Sequence, residues 1–395
     1  MKIVFINTLY SPNLVGGAVR VVQSLAEAVI SAGHQAVVVS IAPDKVSAVG
    51  CNNGVTTYYL ALKNLYWPYA EEPPLTLKPL WHAIDTYNLW MAHEIKGILD
   101  AEQPNLVHTH NLVGFSTLAW KAVKQQHVPV VHTLHDYYLI CPRSTMYRKG
   151  KACNTQCIGC RPYALARRRL GTHVDAVVGV SKFILERHLK FGYFATTPHR
   201  RVIYNPMLVE SAAPSSRTAS LPIRFGYLGR LHPTKGIEVL LESVKQLPKG
   251  TWSLDIGGKG LCDYESYLHD KYKIPSVRFL GHVAPESLFS RIDTLVVPST
   301  WHDPAPTVIK QAHANGVPVI GSKRGGIPEL VEDSQTGFLF DPSYPSDLML
   351  KMQRIINKPV MIDDMKSDSL RTAKSTSPDV IEQYLEVYSE VMGGA

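Results

Sequence analysis

Two basic side chains stand between two glycines at the start of a predicted helix in the second half of the chain. Gly229-Arg230 follows the apolar segment 223–228, and Lys235-Gly236 comes directly before a helical pattern that includes Ile237. A helix N-terminus offers unpaired backbone N–H groups to an anion, and Arg and Lys add positive charge beside them. The alternative is an exposed basic loop, which would not need both glycines and both charges. The spacing therefore predicts an anion-binding site.

A second polar segment, residues 299–340, lies between predicted strands and helices. Asp303 is in a loop after the strand 294–298, and Gln311 follows eight positions later on a helix predicted for 305–315. The strand 317–320 then leads to Gly325-Gly326 and a further helix start. Loops at the carboxyl ends of parallel strands are where open α/β sheets bind ligands. We therefore expect Asp303 and the glycine pair to line a ligand site.

Histidines follow two neighbouring predicted strands in the first half of the chain. His108 and His110 end the strand beginning at Leu106, and His132 and His135, with Asp136, end the strand beginning at Val128. A single histidine in such a place is usually a core residue. Four histidines at two neighbouring strand ends favour a polar site, because imidazole can hydrogen-bond hydroxyl and phosphate groups near neutral pH.

Four of the six cysteines fall within twenty positions. Cys141, Cys153, Cys157 and Cys160 are separated by 11, 3 and 2 residues. In an intracellular chain such a cluster is more typical of a metal site than of disulfides, and four thiolates would complete a tetrahedral structural zinc site. An iron–sulfur cluster and two disulfides are the alternatives, because the spacing is not that of a common zinc ribbon.

These residues are positioned by two series of alternating strands and helices, which predict an α/β protein with two domains. In the first series, the strand 2–7 is followed by Gly16-Gly17 and an apolar helical pattern that ends near Gly33. The second series begins at Ile223, after a stretch rich in Ser, Ala and Pro. The predicted organisation is a domain at 1–205 with a Cys-rich insertion at 141–160, a linker at 206–222, a domain at 223–377 and a final helix within 378–395.

The positive charge is concentrated in the first half. Residues 1–205 carry 21 Lys and Arg against 11 Asp and Glu, whereas residues 206–395 carry 20 against 22. The cluster Arg161 and Arg167–Arg169 favours contact with an anionic membrane over a merely solvated surface. Nucleic acid is not expected as a partner, because no nucleic-acid-binding motif accompanies the basic residues. No apolar run of 18 residues is present, and we expect a cytoplasmic protein, with the inner face of the membrane as its candidate site of action.

The Arg230/Lys235 loop and the Asp303–Gln311 segment together resemble GT-B retaining glycosyltransferases of family 4. The Gly-Arg…Lys-Gly string matches the family pattern. The second segment matches its frame of two acids eight apart followed by Gly-x-Pro-Val, although Asp303 and Gln311 replace the two glutamates. The resemblance covers almost the whole chain, apart from the cysteine insertion. It implies two Rossmann-like doubly wound domains facing a central cleft, with the final helix crossing back to the first domain.

The resemblance also implies roles for particular residues. Arg230 and Lys235 would bind the donor diphosphate, Asp303 would face the donor sugar and Gln311 the nucleotide ribose. His135, with Asp136 beside it, would lie near the reacting centre, and His110 and His135 would contact the acceptor. The remaining expected donor contacts are Gly16, Gly17, Gly258, His282, Val283, Thr307 and Val308.

The activity that the resemblance implies is transfer of a sugar from a nucleotide-diphosphate donor to a glycan or lipid-linked oligosaccharide in surface polysaccharide biosynthesis. No catalytic metal is expected, because cationic side chains would neutralise the diphosphate. Two alternatives stay open at this point. One is a nucleotide-sugar epimerase or hydrolase on the same fold, and the other is a non-catalytic nucleotide-sugar-binding module, which the replacement of both glutamates suggests.

Overall fold

The computed structural model describes residues 1–12, 16–43, 46–69, 75–206, 218–375 and 380–393, except for the side chains of residues 345 and 375. Two compact units are formed: one from Met1–Met146, Asn154–Pro206 and Asp379–Ala395, the other from Tyr147–Cys153 and Met207–Pro378. Most of the predicted linker, residues 207–217, lies outside the described residues. The predicted division placed the whole insertion in the N-terminal domain, whereas in the structure Tyr147–Cys153 groups with the second unit.

The first unit contains an eight-stranded sheet and seven helices within the described residues. Its strands are β1 (Lys2–Ile6), β2 (Gln35–Ala42), β3 (Ala48–Asn52), β4 (Val55–Ala61), β5 (Leu106–Thr109), β6 (Val130–Leu134), β9 (Ala176–Gly179) and β10 (His199–Val202). The intervening strands β7 (Tyr147–Arg148) and β8 (Lys151–Ala152) do not belong to this sheet and form a separate hairpin. Its helices are α1 (Gly17–Ser31), α2 (Lys78–Thr86), α3 (Leu89–Glu102), α4 (Leu118–Lys124), α5 (Arg161–Leu170), α6 (Lys182–Lys190) and α14 (Val380–Gly393).

The strand order of this sheet is β10-β9-β6-β5-β1-β2-β4-β3, and every pairing is parallel except that of β3 with β4. The central strands are buried on both faces, which explains why they read as continuous apolar runs. The chain leaves β1 toward β2 on one side and resumes at β5 on the other. This reversal between β1 and β5 is the point at which doubly wound sheets bind ligands at the strands' carboxyl ends.

Helix α14 completes the first unit, although it follows the second unit in sequence. Tyr384, Val387, Tyr388 and Val391 are buried in the same hydrophobic core as β1 and α1. The Tyr388 hydroxyl lies 2.7 Å from His108 Nδ1, and the Tyr384 hydroxyl lies 3.2 Å from Thr133 Oγ1. The last helix therefore supplies both apolar surface and hydrogen-bond partners to this core.

The second unit contains a six-stranded, fully parallel sheet. Its strands are β11 (Ile223–Leu228), β12 (Trp252–Gly257), β13 (Val277–Gly281), β14 (Thr294–Val297), β15 (Val319–Ser322) and β16 (Gly337–Phe340). Its helices are α7 (Ile237–Val244), α8 (Cys262–Lys271), α9 (Pro285–Phe289), α10 (Thr307–Ala314), α11 (Ile327–Leu330), α12 (Pro345–Asn357) and α13 (Met361–Ser375).

The order β13-β12-β11-β14-β15-β16 is that of a nucleotide-binding Rossmann sheet, 3-2-1-4-5-6. Two separate hydrophobic clusters cover its faces, one built around Phe225 and Leu254 and the other around Leu295 and Ile309. The strand order reverses between β11 and β14. The loops that follow these two strands contain Arg230, Lys235 and Asp303, so the fold brings the two predicted site segments to one edge.

Side-chain caps begin two of the helices. Residues 78–102 form two helices, α2 and α3, with a break between them. The break occurs because the Asn88 side chain accepts a hydrogen bond from Met91 N (3.1 Å) and so begins a new helix. Ser181 caps α6 in the same way, by accepting a hydrogen bond from Ile184 N. In the described part of the chain, no helix combines the length and the apolar character that crossing a membrane requires.

Candidate functional site

The centre of the candidate site in the second unit is an ion pair between Lys235 and Asp303. Lys235 Nζ lies 2.6 Å from Asp303 Oδ2. The side chain of Asp303 is 6% exposed and that of Lys235 is 29% exposed. The carboxylate is therefore held inside the loop, while the ammonium group remains accessible to solvent or to a ligand. Two residues that are 68 positions apart in sequence meet because β11 and β14 are adjacent in the sheet.

Asp303 Oδ2 also accepts hydrogen bonds from two other side chains. Ser299 Oγ and Trp301 Nε1 each lie 3.2 Å from this oxygen. The Lys235 ammonium group in turn lies 5.2 Å from the centroid of the Trp301 ring, within the range of a cation–π contact. Sequence reasoning assigned no role to Ser299 or Trp301, and the only available signal was their position directly after the strand. Together these three donors fix the orientation of the carboxylate.

The loop that presents Lys235 requires glycine at its last position. Residues 233–235 form a short 3-10 helix, and Gly236 then adopts φ +72° before α7 begins. A Cβ atom built on Gly236 would lie 1.8 Å from the carbonyl oxygen of Pro298, at the end of β14. The loop after β11 and the end of β14 thus approach more closely than any side chain would allow. This close approach is what brings Lys235 within reach of Asp303.

The Gly325-Gly326 turn packs against the backbone of Asp303 from the other side. Gly326 N donates to the Asp303 carbonyl oxygen at 2.8 Å. Gly325 has φ +62°, and a Cβ atom on it would lie 2.0 Å from the same oxygen. The turn therefore forms a wall beside Asp303, and glycine is required at position 325 by contact as well as by conformation.

The other predicted donor-binding residues of this unit lie in loops at the same edge of the sheet. Arg230 is exposed, and its carbonyl oxygen accepts a hydrogen bond from the Tyr227 hydroxyl at 2.9 Å. Gly258 follows β12 and donates its N–H to Gly281 O at 2.6 Å. Exposed His282 and half-buried Val283 come directly after β13. Their roles in binding stay predictions.

Helix α10 places the remaining predicted residues. Thr307 and Val308 are half-buried in its first turn, and Gln311 is 6% exposed one turn further along. The backbone carbonyl oxygen of Gln311 accepts a hydrogen bond from Asn315 Nδ2 at 2.8 Å. A glutamine can donate and accept hydrogen bonds but carries no charge, and its predicted contact with a ribose would therefore be neutral.

In the first unit, the predicted histidine site is built around a direct contact between two imidazoles. His110 Nδ1 lies 2.9 Å from His135 Nε2, at the ends of β5 and β6. His110 is 2% exposed, whereas His135 is half-buried. Both residues line a cavity with Asn111, Asp136 and Tyr138. His135 is therefore the more accessible of the two, and His110 supports it from the interior side.

Burial controls the protonation of this pair. It lowers the pKa of His135 from 6.5 to about 4, and the pKa of His110 falls well below its usual value because of burial and the neighbouring His108. Both rings are therefore neutral at pH 7, and the bond between them holds a single proton. Burial acts in the opposite direction on Asp136 and raises its pKa to about 6, although a hydrogen bond from Tyr138 N (2.7 Å) partly offsets this effect.

The other two histidines differ in their surroundings. His108 is fully buried, with one ring nitrogen 2.7 Å from the Tyr388 hydroxyl and the other 2.8 Å from Thr133 Oγ1. His132 is 4% exposed and lies 2.9 Å from Thr109 Oγ1. The prediction of a four-histidine site was wrong for His108, because its partners come from the core and from α14, which the local pattern does not reveal. His132 lines the same cavity as His110 and His135.

A buried ion pair supports the loop that follows His135. Arg167 Nη2 lies 3.2 Å from Asp85 Oδ2, and both side chains are fully buried. The Tyr138 hydroxyl donates to the same oxygen at 2.7 Å, and the Arg167 guanidinium lies 3.8 Å from the Tyr138 ring centroid. The assignment of Arg167 to a membrane-facing cluster was therefore wrong. Arg161, Arg168 and Arg169 are exposed.

The glycine pair of the first unit lies at the amino end of α1. Gly16 is the N-cap residue, with φ +97°, and Gly17 is the first residue of the helix. Both are exposed. Residues 13–15 of the same loop are outside the described residues, so the predicted donor contact of Gly16 and Gly17 stays a prediction.

The cysteine insertion brings three of its four thiols together. Cys157 Sγ lies 3.0 Å from Cys160 Sγ, which lies 3.8 Å from Cys141 Sγ. None of the six cysteines is in a disulfide. Cys153 belongs to the segment that groups with the second unit. In the described residues, no group of three or more His, Cys, Asp or Glu side chains already has the arrangement of a metal site.

Comparison with known proteins agrees with this architecture. Residues 15–209 match the profile described as Glycosyltransferase Family 4, and residues 212–372 match that described as Glycosyl transferases group 1. An uncharacterized 42.6 kDa protein in the cps region of Klebsiella pneumoniae is 33% identical over 98% of this chain and all of its own length.

Two solved structures share the fold. Sucrose-phosphate synthase from Thermosynechococcus elongatus has a TM-score of 0.77 and 20% identity, and each chain is fully covered. Anabaena HepE in complex with UDP and glucose has a TM-score of 0.71 and 21% identity, over 99% of this chain and all of that one. The two matched profiles, with the Rossmann sheet order of both units, show that the chain is an enzyme of the group 1 (family 4) glycosyltransferases, which have the GT-B fold.

Proposed function

We propose that the chain is a retaining glycosyltransferase that uses a nucleotide-diphosphate sugar. Its acceptor is a glycan or lipid-linked oligosaccharide in the biosynthesis of a surface polysaccharide. The observation that carries the proposal is the Lys235–Asp303 pair at the point where the second sheet reverses its strand order. The proposal is supported by two comparisons: the structure of HepE was obtained with UDP and glucose, and the Klebsiella relative is described as a protein of the cps region.

The donor diphosphate is bound by Lys235, Arg230 and the amino end of α7. A diphosphate carries negative charge that increases as the sugar departs, and cationic groups held in place before the reaction stabilise that charge without reorganising. The 2.6 Å contact with Asp303 holds the Lys235 ammonium group at the mouth of the loop. In this proposal Asp303 has two roles, because it orients Lys235 and its carboxylate faces the hydroxyls of the donor sugar.

In the transfer step, the bond from the anomeric carbon to the diphosphate oxygen breaks. The acceptor hydroxyl forms the new bond on the same face of the sugar, and its proton passes to the leaving diphosphate oxygen. Atoms and charge balance without a redox partner or a covalent enzyme intermediate. In this proposal His135 donates or accepts a hydrogen bond during the transfer as a neutral imidazole, in keeping with its lowered pKa.

The acceptor contacts the first unit, which carries the excess positive charge, and the protein works at the cytoplasmic face of the membrane. Helix α5 supports this location, because Arg161, Leu165 and Arg168 recur at a spacing that places them on one face. Leu165 is 42% exposed, and on the neighbouring helix α2 Leu80 is 53% exposed. Basic and apolar side chains on one exposed face are typical of proteins that bind anionic membranes.

The membrane location is tested by flotation of the protein with vesicles. We expect binding to vesicles that contain phosphatidylglycerol and little binding to pure phosphatidylcholine. Replacing Arg161, Arg168 and Arg169 by Ser should abolish vesicle binding. In the control variant, Lys182 and Lys190, two exposed residues of α6, are replaced by Ser, and vesicle binding should be unchanged. Equal binding of the two variants would contradict the assignment of this face.

The function itself is tested with a panel of nucleotide sugars. Thermal shift identifies the donor that raises the melting temperature, because a ligand that binds only the folded state stabilises it. Release of nucleotide should then require an added glycan acceptor, and the anomeric configuration of the product, read by NMR, should equal that of the donor. Nucleotide release or sugar conversion without an acceptor would support a hydrolase or epimerase. Binding without turnover for any acceptor would support a binding module.

A further inference from the structure

The cysteine insertion contains a thiol cluster that the proposed sugar transfer does not use. Cys141, Cys157 and Cys160 come from two places in the sequence, yet their sulfurs lie 3.0 Å (157 to 160) and 3.8 Å (160 to 141) apart. Cys141 is buried and the other two are half-buried. Cys51 and Cys262, by contrast, are exposed and lie outside the cluster.

The backbone around these three thiols is held by hydrogen bonds. Cys141 N donates to Tyr137 O at 2.8 Å, and Cys160 N donates to Cys157 O at 3.0 Å. The Gln156 side chain donates to Ile140 O at 2.8 Å and so joins the two ends of the insertion beside the cysteines. The thiols are thus positioned by the fold on both sides of the cluster. Ile158, which lies between Cys157 and Cys160, is 82% exposed and adds little apolar packing to the cluster.

The sulfur distances separate two kinds of chemistry. A disulfide requires about 2.05 Å between sulfurs, which neither pair approaches. In a tetrahedral zinc site with Zn–S bonds of about 2.3 Å, the sulfurs lie about 3.8 Å apart. The Cys160–Cys141 distance has this value. The Cys157–Cys160 distance is shorter by roughly 0.8 Å, so a metal ion would have to move these two thiols apart.

We propose that Cys141, Cys157 and Cys160 bind one thiophilic divalent metal ion, Zn²⁺, as thiolates in a structural site. The ion neutralises three closely spaced thiolates and fastens the base of the insertion to α5, which begins directly after Cys160. The proposal rests on these three residues. Cys153 as a fourth ligand, the disposition expected from the sequence, stays a prediction.

The site is tested by metal analysis of the full-length protein, purified under reducing conditions without a metal-affinity tag or a chelator. We expect about one zinc per chain, and release of that zinc when a mercurial reagent modifies the thiols. Cys157→Ser should lose the metal, whereas the matched variant Cys51→Ser should retain it. Loss of zinc from both variants to the same extent would overturn the proposal.

A second measurement does not depend on a folded variant. Wild-type protein that has been stripped of metal and kept reduced is titrated with Co²⁺, and we expect a thiolate-to-cobalt charge-transfer band together with the strong visible absorption of tetrahedral cobalt. Mass spectrometry of freshly purified protein tests for a disulfide between these cysteines, which would be the opposite outcome. A Cys157–Cys160 disulfide, or substoichiometric zinc with no cobalt band, would show that the thiols do not form a metal site.

Discussion

Removing the ammonium group of Lys235 should weaken donor binding substantially without unfolding the second unit. In Lys235→Ala, the diphosphate loses a charge-assisted interaction, which typically contributes about 1.5–3 kcal/mol. A bare Coulomb energy between unit charges 4 Å apart at an effective dielectric constant of 20 is about 4 kcal/mol. We use the range of about 1.5–3 kcal/mol and not the Coulomb energy, because the Asp303 carboxylate, 2.6 Å from the ammonium group, already offsets part of the field of that charge. We therefore expect a Kd that rises by about 10- to 150-fold.

Isothermal titration with the nucleotide diphosphate of the identified donor measures this change. The matched control is Lys245→Ala, which removes the same charge at the other end of α7, where Lys245 is exposed and pairs with Glu242. The control should alter the Kd by less than about twofold, because an exposed pair contributes little. Thermal unfolding monitored by circular dichroism shows whether each variant is folded. A folded Lys235→Ala protein with the Kd of the wild type would refute the placement of the diphosphate.

The role of Asp303 in orienting Lys235 can be separated from its contact with the sugar by a double-mutant cycle. If Asp303 acts on nucleotide binding only through Lys235, Asp303→Asn should change the Kd for the nucleotide diphosphate in the wild-type background but not in Lys235→Ala. When the same cycle is repeated with the complete nucleotide sugar, Asp303→Asn should cause an additional loss of affinity, because the sugar hydroxyls are then present. Equal losses in all four comparisons would exclude an orienting role.

Three further variants test the supports of the two sites. Arg167→Met removes the partner of the buried Asp85 carboxylate and should lower the free energy of unfolding, measured by urea denaturation, by about 3–5 kcal/mol. The control Lys182→Ala removes an exposed ion pair with Glu186 and should lower it by no more than about 0.5 kcal/mol. Equal effects of the two substitutions would contradict the burial of the Arg167–Asp85 pair. In Gly325→Ala the new Cβ atom would lie 2.0 Å from the Asp303 carbonyl oxygen, so we expect lower stability and slower sugar transfer. The control Gly250→Ala has a similar φ but open space around the Cβ atom, and it should show only the backbone strain of about 1–2 kcal/mol. Sugar transfer by Gly325→Ala at the wild-type rate would exclude the Gly325-Gly326 turn as a wall of the site. Folded His135 stays neutral down to a pKa of about 4, whereas the unfolded residue binds a proton below its usual pKa of 6.5. Lowering the pH from 6.5 to 4 should therefore reduce the stability of the wild type, because the unfolded state binds more protons in this window. His135→Gln should show a flatter pH dependence, and parallel curves would contradict the lowered pKa.

Some of this site could be predicted from the sequence because its residues carry their own spacing signal. Lys235 and Asp303 each lie in a loop whose flanking glycines, strand and helix indicate its geometry, and the parallel sheet then determines that the loops meet. Trp301 could not be assigned in this way. Its indole N–H matters only because Asp303 Oδ2 lies 3.2 Å away, and an aromatic residue in a loop has many possible neighbours.

The errors came from contacts between segments that are distant in sequence. Arg167 is adjacent to two exposed arginines, and its burial depends on Asp85, 82 positions earlier. His108 and His110 belong to the same strand end, and the partner that separates their roles, Tyr388, is 280 positions from His108. Local pattern gives the element on which a polar residue lies. It does not give the partner that decides whether that residue is part of a site or of the core.

The position of α14 in the first unit has a consequence for how the chain matures during translation. A ribosome releases residues 1–206 first, but the hydroxyls of Tyr384 and Tyr388 that meet Thr133 and His108 emerge only after the whole second unit. Domains generally fold as units, from the N-terminus onward, as they are synthesised. Here the strands β11 to β16 of the second unit are consecutive in sequence, so this unit can complete its core first. The first unit waits with an uncovered apolar surface and without the partner hydroxyl of His108 Nδ1. Nascent chains that stall before residue 380 should therefore be the species most in need of chaperones.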